Sequence, residues 1–411
     1  MNKYLLPVAL VLVAILLMGF SDSYALNKMN WSARNYEVLS KFIKDYGVGG
    51  KYYNKKNPPY VALDWDQTMA HLDCEEATFR HQLWNLKFKL SKDEFKALFK
   101  DEINGVKQLN ADYKNIKLVD INADIVSAYE FLYDNYEGFG IGKMKIEEIR
   151  ETPQFKDFIT KMPFLYDGYC ETAGIEAVYG YPWVLFFLAN HTVEEVQALA
   201  KDAITFALND KLTKVTWKAP CNFACKAGPI DYTYKSGLRV HAEMQDLTES
   251  MMRAGIDVYI CSASLKQVVQ TFGAPGNFGY NIDPNKVIAM ELEVKDGKVL
   301  PQYKSGWVQT QRMGKVEAIK KVLGHRGDPI FSASDSDGDY EMITEFKGMK
   351  LALILNRLKG GPIGQASKLA VEQVKDKTPR FILQGRNENT GLFLPQSETI
   401  SVGKKEAKLL K

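Results

Sequence analysis

Apolar and polar positions follow two different rhythms along this chain, and the change between them divides it. Short, almost unbroken apolar runs stand at Tyr60 to Leu63, Ile256 to Cys261, Pro329 to Ala333 and Lys350 to Leu355. Runs of this length without alternation predict strands buried on both faces of a parallel sheet. Helical spacing lies between several of them, which predicts crossover helices and an α/β core. From about 70 to 235 the rhythm is helical and aromatic. Ser91-x-x-Glu94 opens a helix with Phe95, Leu98 and Phe99 on one face. Thr192-x-x-Glu195 opens another, with Val196, Leu199, Ala203 and Phe206 at core spacing. These capping boxes are ordinary helix starts and carry no chemistry. Asp296-Gly297, between Glu291–Val294 and Lys298–Leu300, predicts a two-residue hairpin turn. After Pro379 the chain is rich in Gly and Asn, with short strand-like pieces.

The first 25 residues stand apart. Lys3 precedes an apolar run from Leu5 to Phe20, and Ser23-x-Ala25 places small residues where a signal peptidase cuts. Residues 1–25 are therefore expected to be a signal peptide, cleaved before Leu26, and the protein to be exported, periplasmic or secreted. An uncleaved membrane anchor is the alternative, although the run is slightly short for a span. Without a Cys near the cleavage region, a lipid anchor is disfavoured.

At 411 residues and 46% hydrophobic content, there is enough chain for a large core or two. Charge is nearly balanced, 53 basic against 50 acidic residues, and no basic block points to nucleic acid. An exported chain permits disulfides among its five cysteines. The Cys221 and Cys225 spacing allows a loop closure without requiring one, while Cys261 lies in an apolar run and reads as a buried thiol.

Four segments carry candidate chemistry. Asp64-Trp65-Asp66-Gln67-Thr68 ends the first apolar run. Residues i and i+2 of a strand point the same way, so both carboxyls leave the strand end together, as nucleophile (Asp64) and acid/base (Asp66). A bound cation would make such a like-charge pair tolerable. Thr68 can hydrogen-bond the turn; a plain Asp turn and helix cap is the bland alternative. Ser262, after the second run, sits where open α/β sheets place ligands, although Ser262 and Ser264 could equally cap the next helix. Lys315 stands in the first turn of a helix, where the dipole disfavours a cation unless an anion is near. Asp335-Ser-Asp337-Gly338-Asp339 follows the third run with three carboxylates, oxygen ligands suited to magnesium. Asp335 is the expected ligand, and Asp339 could hold Lys315 or the metal's water. A calcium loop is a poor match, since the twelfth position from Asp335 is Phe346.

In this order the four segments resemble the haloacid dehalogenase superfamily, over about 60–69 and 243–345. The resemblance implies a Rossmann-like core formed by 26–69 and 236–411, with 70–235 as a helical cap that selects substrate. It implies magnesium-dependent phosphomonoester hydrolysis through a phosphoaspartate on Asp64, with Asp66 as acid/base. The implied metal set is Asp64, Asp66 (through its backbone carbonyl) and Asp335. The expected substrate-binding residues are Thr68, Ser262 and Lys315, the last two as phosphate contacts, and Asp339 matches the second acid of the last motif. Gln67 departs from the usual Gly, Ser or Asn, and Ser334 from the usual Gly.

Ala254–Ser264, Tyr181-Pro-Trp183 and the Gln384-Gly-Arg386 tail place the resemblance in the phosphoserine-phosphatase-like branch. That implies a small phosphomonoester such as phosphorylcholine. A quaternary ammonium group would call for aromatic rings and a carboxylate, with Trp84, Tyr179, Tyr181, Trp183, Trp217, Glu75 and Glu76 as candidates. The rival readings are a broad-specificity acid phosphatase and an exported binding protein without turnover. A transport ATPase is a third, and it lacks any span beyond residue 25. No nucleic-acid partner is expected, and no stable membrane partner unless the leader is retained as an anchor.

Overall fold

The computed structural model describes residues 25–411, so the expected leader lies outside the described residues, apart from Ala25. Six parallel strands form the main sheet: β1 (Tyr60–Leu63), β2 (Asp257–Leu265), β3 (Val287–Met290), β4 (Phe331–Ser334), β5 (Leu351–Leu355) and β6 (Phe381–Gln384). Their spatial order is β6-β5-β4-β1-β2-β3. The chain builds outward from β1 on one side, then returns to build the other. That reversal leaves a crevice beyond the carboxyl ends of β1 and β4, where open sheets bind ligands.

The four expected strands are present within a few residues of their apolar runs. β3 was not anticipated, although Val287-Ile-Ala-Met290 is a fully buried apolar run of the same kind. Alternate side chains of β1 serve opposite faces. Val61 and Leu63 join the large core with Trp31 and Phe42, while Tyr60 and Ala62 pack with Val316, Ile319 and Leu323 of the helix Met313–Leu323. Both faces are covered, which is why the strands read as unbroken apolar runs. The Asp296-Gly297 hairpin is present, both residues at positive φ (52° and 75°).

The segment after β1 is mainly helical, with long helices at Cys74–Trp84, Leu118–Asn135, Pro153–Glu171 and Val193–Asn209. Both capping boxes form. Phe206 is the exception on its face: it is 62% exposed, beside His81 at the helix edge rather than in the core. An antiparallel pair, Thr213–Ala219 with Ile230–Ser236, closes the segment, an element the helical pattern did not predict. Its connecting loop carries the Cys221–Cys225 disulfide. Asp124 accepts Lys226 and Ala227 backbone N–H groups at 2.7 and 2.9 Å and ties that loop to the helices. Buried Lys161 lies 2.8 Å from both Asp124 and Asp157, so the charges offset one another inside the helical segment. Cys261 is a buried free thiol, as its apolar surroundings suggested. Among the described residues, no helix is long and apolar enough to cross a membrane.

Candidate active site

Asp64 leaves β1 at its carboxyl end and Asp335 leaves β4, two neighbouring strands in register at Leu63 and Ala333. Asp339 reaches the same point from the short helical turn Asp337–Asp339. Carboxylate oxygens of Asp64, Asp335 and Asp339 all lie within 4.8 Å of one another, and all three residues are buried. Three acids this close need a cation. Lys315 provides one: its Nζ donates to Asp64 Oδ1 at 2.6 Å and to Asp339 Oδ1 at 2.5 Å. It comes from the first turn of the helix Met313–Leu323, where Gly314 permits a close approach, since a Cβ there would fall 1.7 Å from the Gln309 carbonyl. The expected dipole penalty on Lys315 is answered by these two carboxylates.

Burial, then the charge of Asp339, push the Asp64 carboxyl well above the usual range against the pull of Lys315. Asp339 is also raised, chiefly by burial. Burial alone would lower the Lys315 ammonium, but Asp339 and Asp64 outweigh it and hold the group above an ordinary lysine. At neutral pH Lys315 stays charged, and the cluster takes up further positive charge readily. Oxygen donors in this density suit a hard cation such as magnesium.

The two aspartates of the first motif have different surroundings. Asp66 Oδ1 accepts the Cys74 backbone N–H at 2.7 Å, at the start of the helix Cys74–Trp84, and its Oδ2 accepts the Ser264 hydroxyl at 2.7 Å. Its carboxyl thus stands outside the three-acid cluster, whose third member is Asp339; the metal contact expected of Asp66 is through its backbone carbonyl. Burial raises Asp66 above an ordinary carboxyl, partly offset by the Cys74 backbone bond.

Thr68 is fully buried, and its hydroxyl donates to Asp335 Oδ1 at 3.4 Å. It orients an acid of the cluster and does not line the cavity, so the expected substrate contact is absent from this geometry. Ser262 lies within β2, three residues before its end, where the pairing with β3 shifts register. Its Oγ accepts the Ser264 N–H at 3.1 Å. The following helix, Lys266–Gly273, has no side-chain cap, which removes the capping alternative for these serines. Asp337 is structural, accepting Ile363 N–H at 2.8 Å.

A cavity of about 580 Å³ opens above the cluster. Asp64, Asp66, Ser262, Lys315, Asp335 and Asp339 line its floor; Glu75, Glu76, Tyr166 and Tyr181 belong to the wall contributed by the helical segment. Of the anticipated aromatics only Tyr181 faces it. Trp183 is core, its indole N–H donating to Leu98. Trp84 and Trp217 stack on each other at 6.2 Å, and Tyr179 lies under Lys100. A rough helical count cannot tell which ring turns inward, because neighbouring helices decide it.

Sequence reasoning missed Arg357 and Tyr166. Arg357, just beyond β5, pairs with Asp335 Oδ2 and lines the cavity. Burial lowers its guanidinium, but Asp335 more than restores it. A lone Arg after a strand carries no pattern. Tyr166 was one aromatic among many in the Pro153–Glu171 helix.

This is an α/β protein whose chemistry converges on aspartates at the carboxyl ends of two adjacent strands. No family model matches the chain. A crystal structure of a conserved protein of unknown function from Anaerococcus prevotii is similar over 92% of this chain and 99% of that one, with 31% identity and a TM-score of 0.82. Phosphorylcholine phosphatase of Pseudomonas aeruginosa is 24% identical over 152 residues, which is 35% of this chain and 38% of the length of that relative. A phosphoserine phosphohydrolase-like protein from Francisella tularensis overlaps too loosely to carry an argument (11% identity, TM-score 0.31, over 72% of this chain and 87% of that one). The chain thus shares the fold of the Anaerococcus prevotii protein, and over about a third of its length it is similar to a phosphatase.

Proposed function

We propose that the protein hydrolyses small phosphomonoesters through a phosphoaspartyl intermediate on Asp64, with magnesium as cofactor. The observation that carries this reading is the bridge of Lys315 between Asp64 and Asp339, within the cluster completed by Asp335. Asp64, Asp335 and Asp339 would hold the metal, and the Asp66 backbone carbonyl is the further contact that the family resemblance implies. When bound, magnesium neutralises charge on the transferring phosphoryl group. Lys315 steadies the Asp64 carboxylate and the incoming phosphate together. Ser262 donates to a non-bridging oxygen. Asp66, held above the usual range and bonded to Ser264, protonates the leaving alkoxide and later takes a proton from water.

The cavity wall supports a substrate with a cationic head. Glu75 is buried with one oxygen on the Leu265 N–H at 2.8 Å, and Tyr166 and Tyr181 line the same cavity. Aromatic faces with a nearby carboxylate recognise quaternary ammonium groups. Phosphorylcholine, the substrate named for the Pseudomonas aeruginosa relative, has that chemistry. The helical segment 70–235 then acts as the selecting cap, and the leader pattern supports export of the enzyme.

The test is magnesium-dependent hydrolysis of p-nitrophenyl phosphate by wild type and Asp64→Asn, followed by a panel of phosphomonoesters. Wild type turns over and Asp64→Asn does not. Equal rates would remove Asp64 from the mechanism. No rate from either protein on any ester would leave a binding protein.

A further inference from the structure

The turn that bears both first-motif aspartates is gripped by a segment 319 residues further along the chain. Gln67, between Asp66 and Thr68, has φ 64°, a left-handed conformation that L side chains resist. Arg386 is fully buried and spends its fork on that residue. Its Nη1 donates to the Gln67 backbone carbonyl at 2.7 Å and its Nη2 to the Gln67 side-chain oxygen at 2.6 Å. Its Nε donates at 2.8 Å to Glu388, a buried carboxylate that also takes Lys235 at 3.2 Å. Gly385, the residue before Arg386, lets the chain pass close to the Glu398 backbone, since a Cβ there would lie 1.9 Å from the Glu398 carbonyl.

We infer that Arg386 is a positioning residue for the reaction, acting through Gln67 to hold Asp64 and Asp66 at their working angles. The inference rests on the phosphatase reading above. A glycine at position 67 would adopt the left-handed turn unaided. A glutamine needs to be held there, and its side-chain oxygen offers the holder a second grip. The departure at Gln67 and the Gln384-Gly-Arg386 tail, unconnected in the sequence, are two halves of one device. Lysine cannot replace the arginine, because only the planar fork meets a carbonyl and an amide oxygen together.

Arg386→Lys tests this while keeping a positive charge against Glu388. A displacement near 1 Å at the reacting groups costs on the order of 10²-fold, so kcat falls by at least about tenfold while KM changes less than about threefold. Adding Gln67→Gly to Arg386→Lys restores most of the lost kcat. A tail that merely held the fold together would give a loss that Gln67→Gly does not recover. That result, a wild-type kcat in Arg386→Lys, or a change confined to KM would each overturn the inference. Amide exchange over residues 64–72 provides a readout independent of turnover. It is faster in Arg386→Lys than in wild type, and unchanged exchange sinks the clamp. If wild type hydrolyses no ester, the phosphatase reading fails while the exchange result still judges the clamp.

Discussion

Lys315 and Asp64 are 251 residues apart in the chain, and their charged atoms meet at 2.6 Å in the cavity floor. The contact joins the end of β1, which presents Asp64, to the helix Met313–Leu323. Lys315 is 2% exposed, so its charge is screened little by water.

Replacing Lys315 by Met keeps the length of the side chain and removes the charge. Asp64 and Asp339 are then left buried without their cation, at a cost on the order of 3–5 kcal/mol. We expect a lower urea midpoint, weaker binding of inorganic phosphate and slower formation of the intermediate. Magnesium should recover part of the lost stability, because it answers the same carboxylates. Kinetics and midpoint both equal to wild type would make Lys315 a bystander.

Asp66→Asn preserves an acceptor for the Cys74 N–H but can neither donate to the leaving group nor take a proton from water. The loss expected is about 10²–10⁴-fold in turnover. Esters with good leaving groups, such as p-nitrophenyl phosphate, should still phosphorylate Asp64, so a labelled phosphoenzyme accumulates. Rapid-quench trapping checks this, and an Asn variant with no excess of phosphoenzyme over wild type would assign the proton transfers elsewhere.

Glu75 gives the substrate wall a pH dependence. Burial raises its carboxyl to about 7, partly countered by the Leu265 N–H. The side chain is mostly neutral below that value and charged above it. For a cationic substrate, the KM measured relative to an uncharged-head ester therefore falls as pH rises through about 7. Glu75→Gln flattens the ratio while keeping an acceptor for Leu265. A ratio independent of pH in wild type would separate Glu75 from head-group recognition.

His71 is buried close to His241, ring centres 6.1 Å apart, near Arg386. Burial first, then the Arg386 charge, lower His71 to about 3 from an unfolded value of 6.5. The unfolded chain thus binds the extra proton between these values. The stability contributed by neutral His71 is complete above about 6.5 and is lost as pH falls toward 3, by up to about 1.4 kcal/mol per pH unit. His71→Gln should show a shallower acid limb in thermal or urea unfolding than wild type. Parallel limbs would mean that His71 does not titrate between the two states.

Asp64, Ser262, Lys315, Asp335 and Asp339 were readable as residues because each stands at the end of an apolar run or the start of a helix. Chain periodicity alone locates such places: a buried strand must end before polar side chains can reach a crevice. The strand order could not be read this way, nor could the third acid of the cluster. Asp66 read as the acid/base and Asp339 as a holder of Lys315 or of the metal's water; the fold sets the Asp66 carboxyl on the Cys74 N–H and the Asp339 carboxyl on Lys315.

The amino-acid sequence by itself determined the parallel α/β core, the helical insertion after its first strand and the acids at the strand ends, since local periodicity and turn chemistry are written in neighbouring residues. Tertiary structure alone decided that Tyr166 faces the cavity while Trp84 stacks on Trp217, that Arg357 meets Asp335, and that Arg386 grips Gln67. Those pairings join residues far apart in the chain, where no spacing rule operates and packing chooses which side chain turns inward.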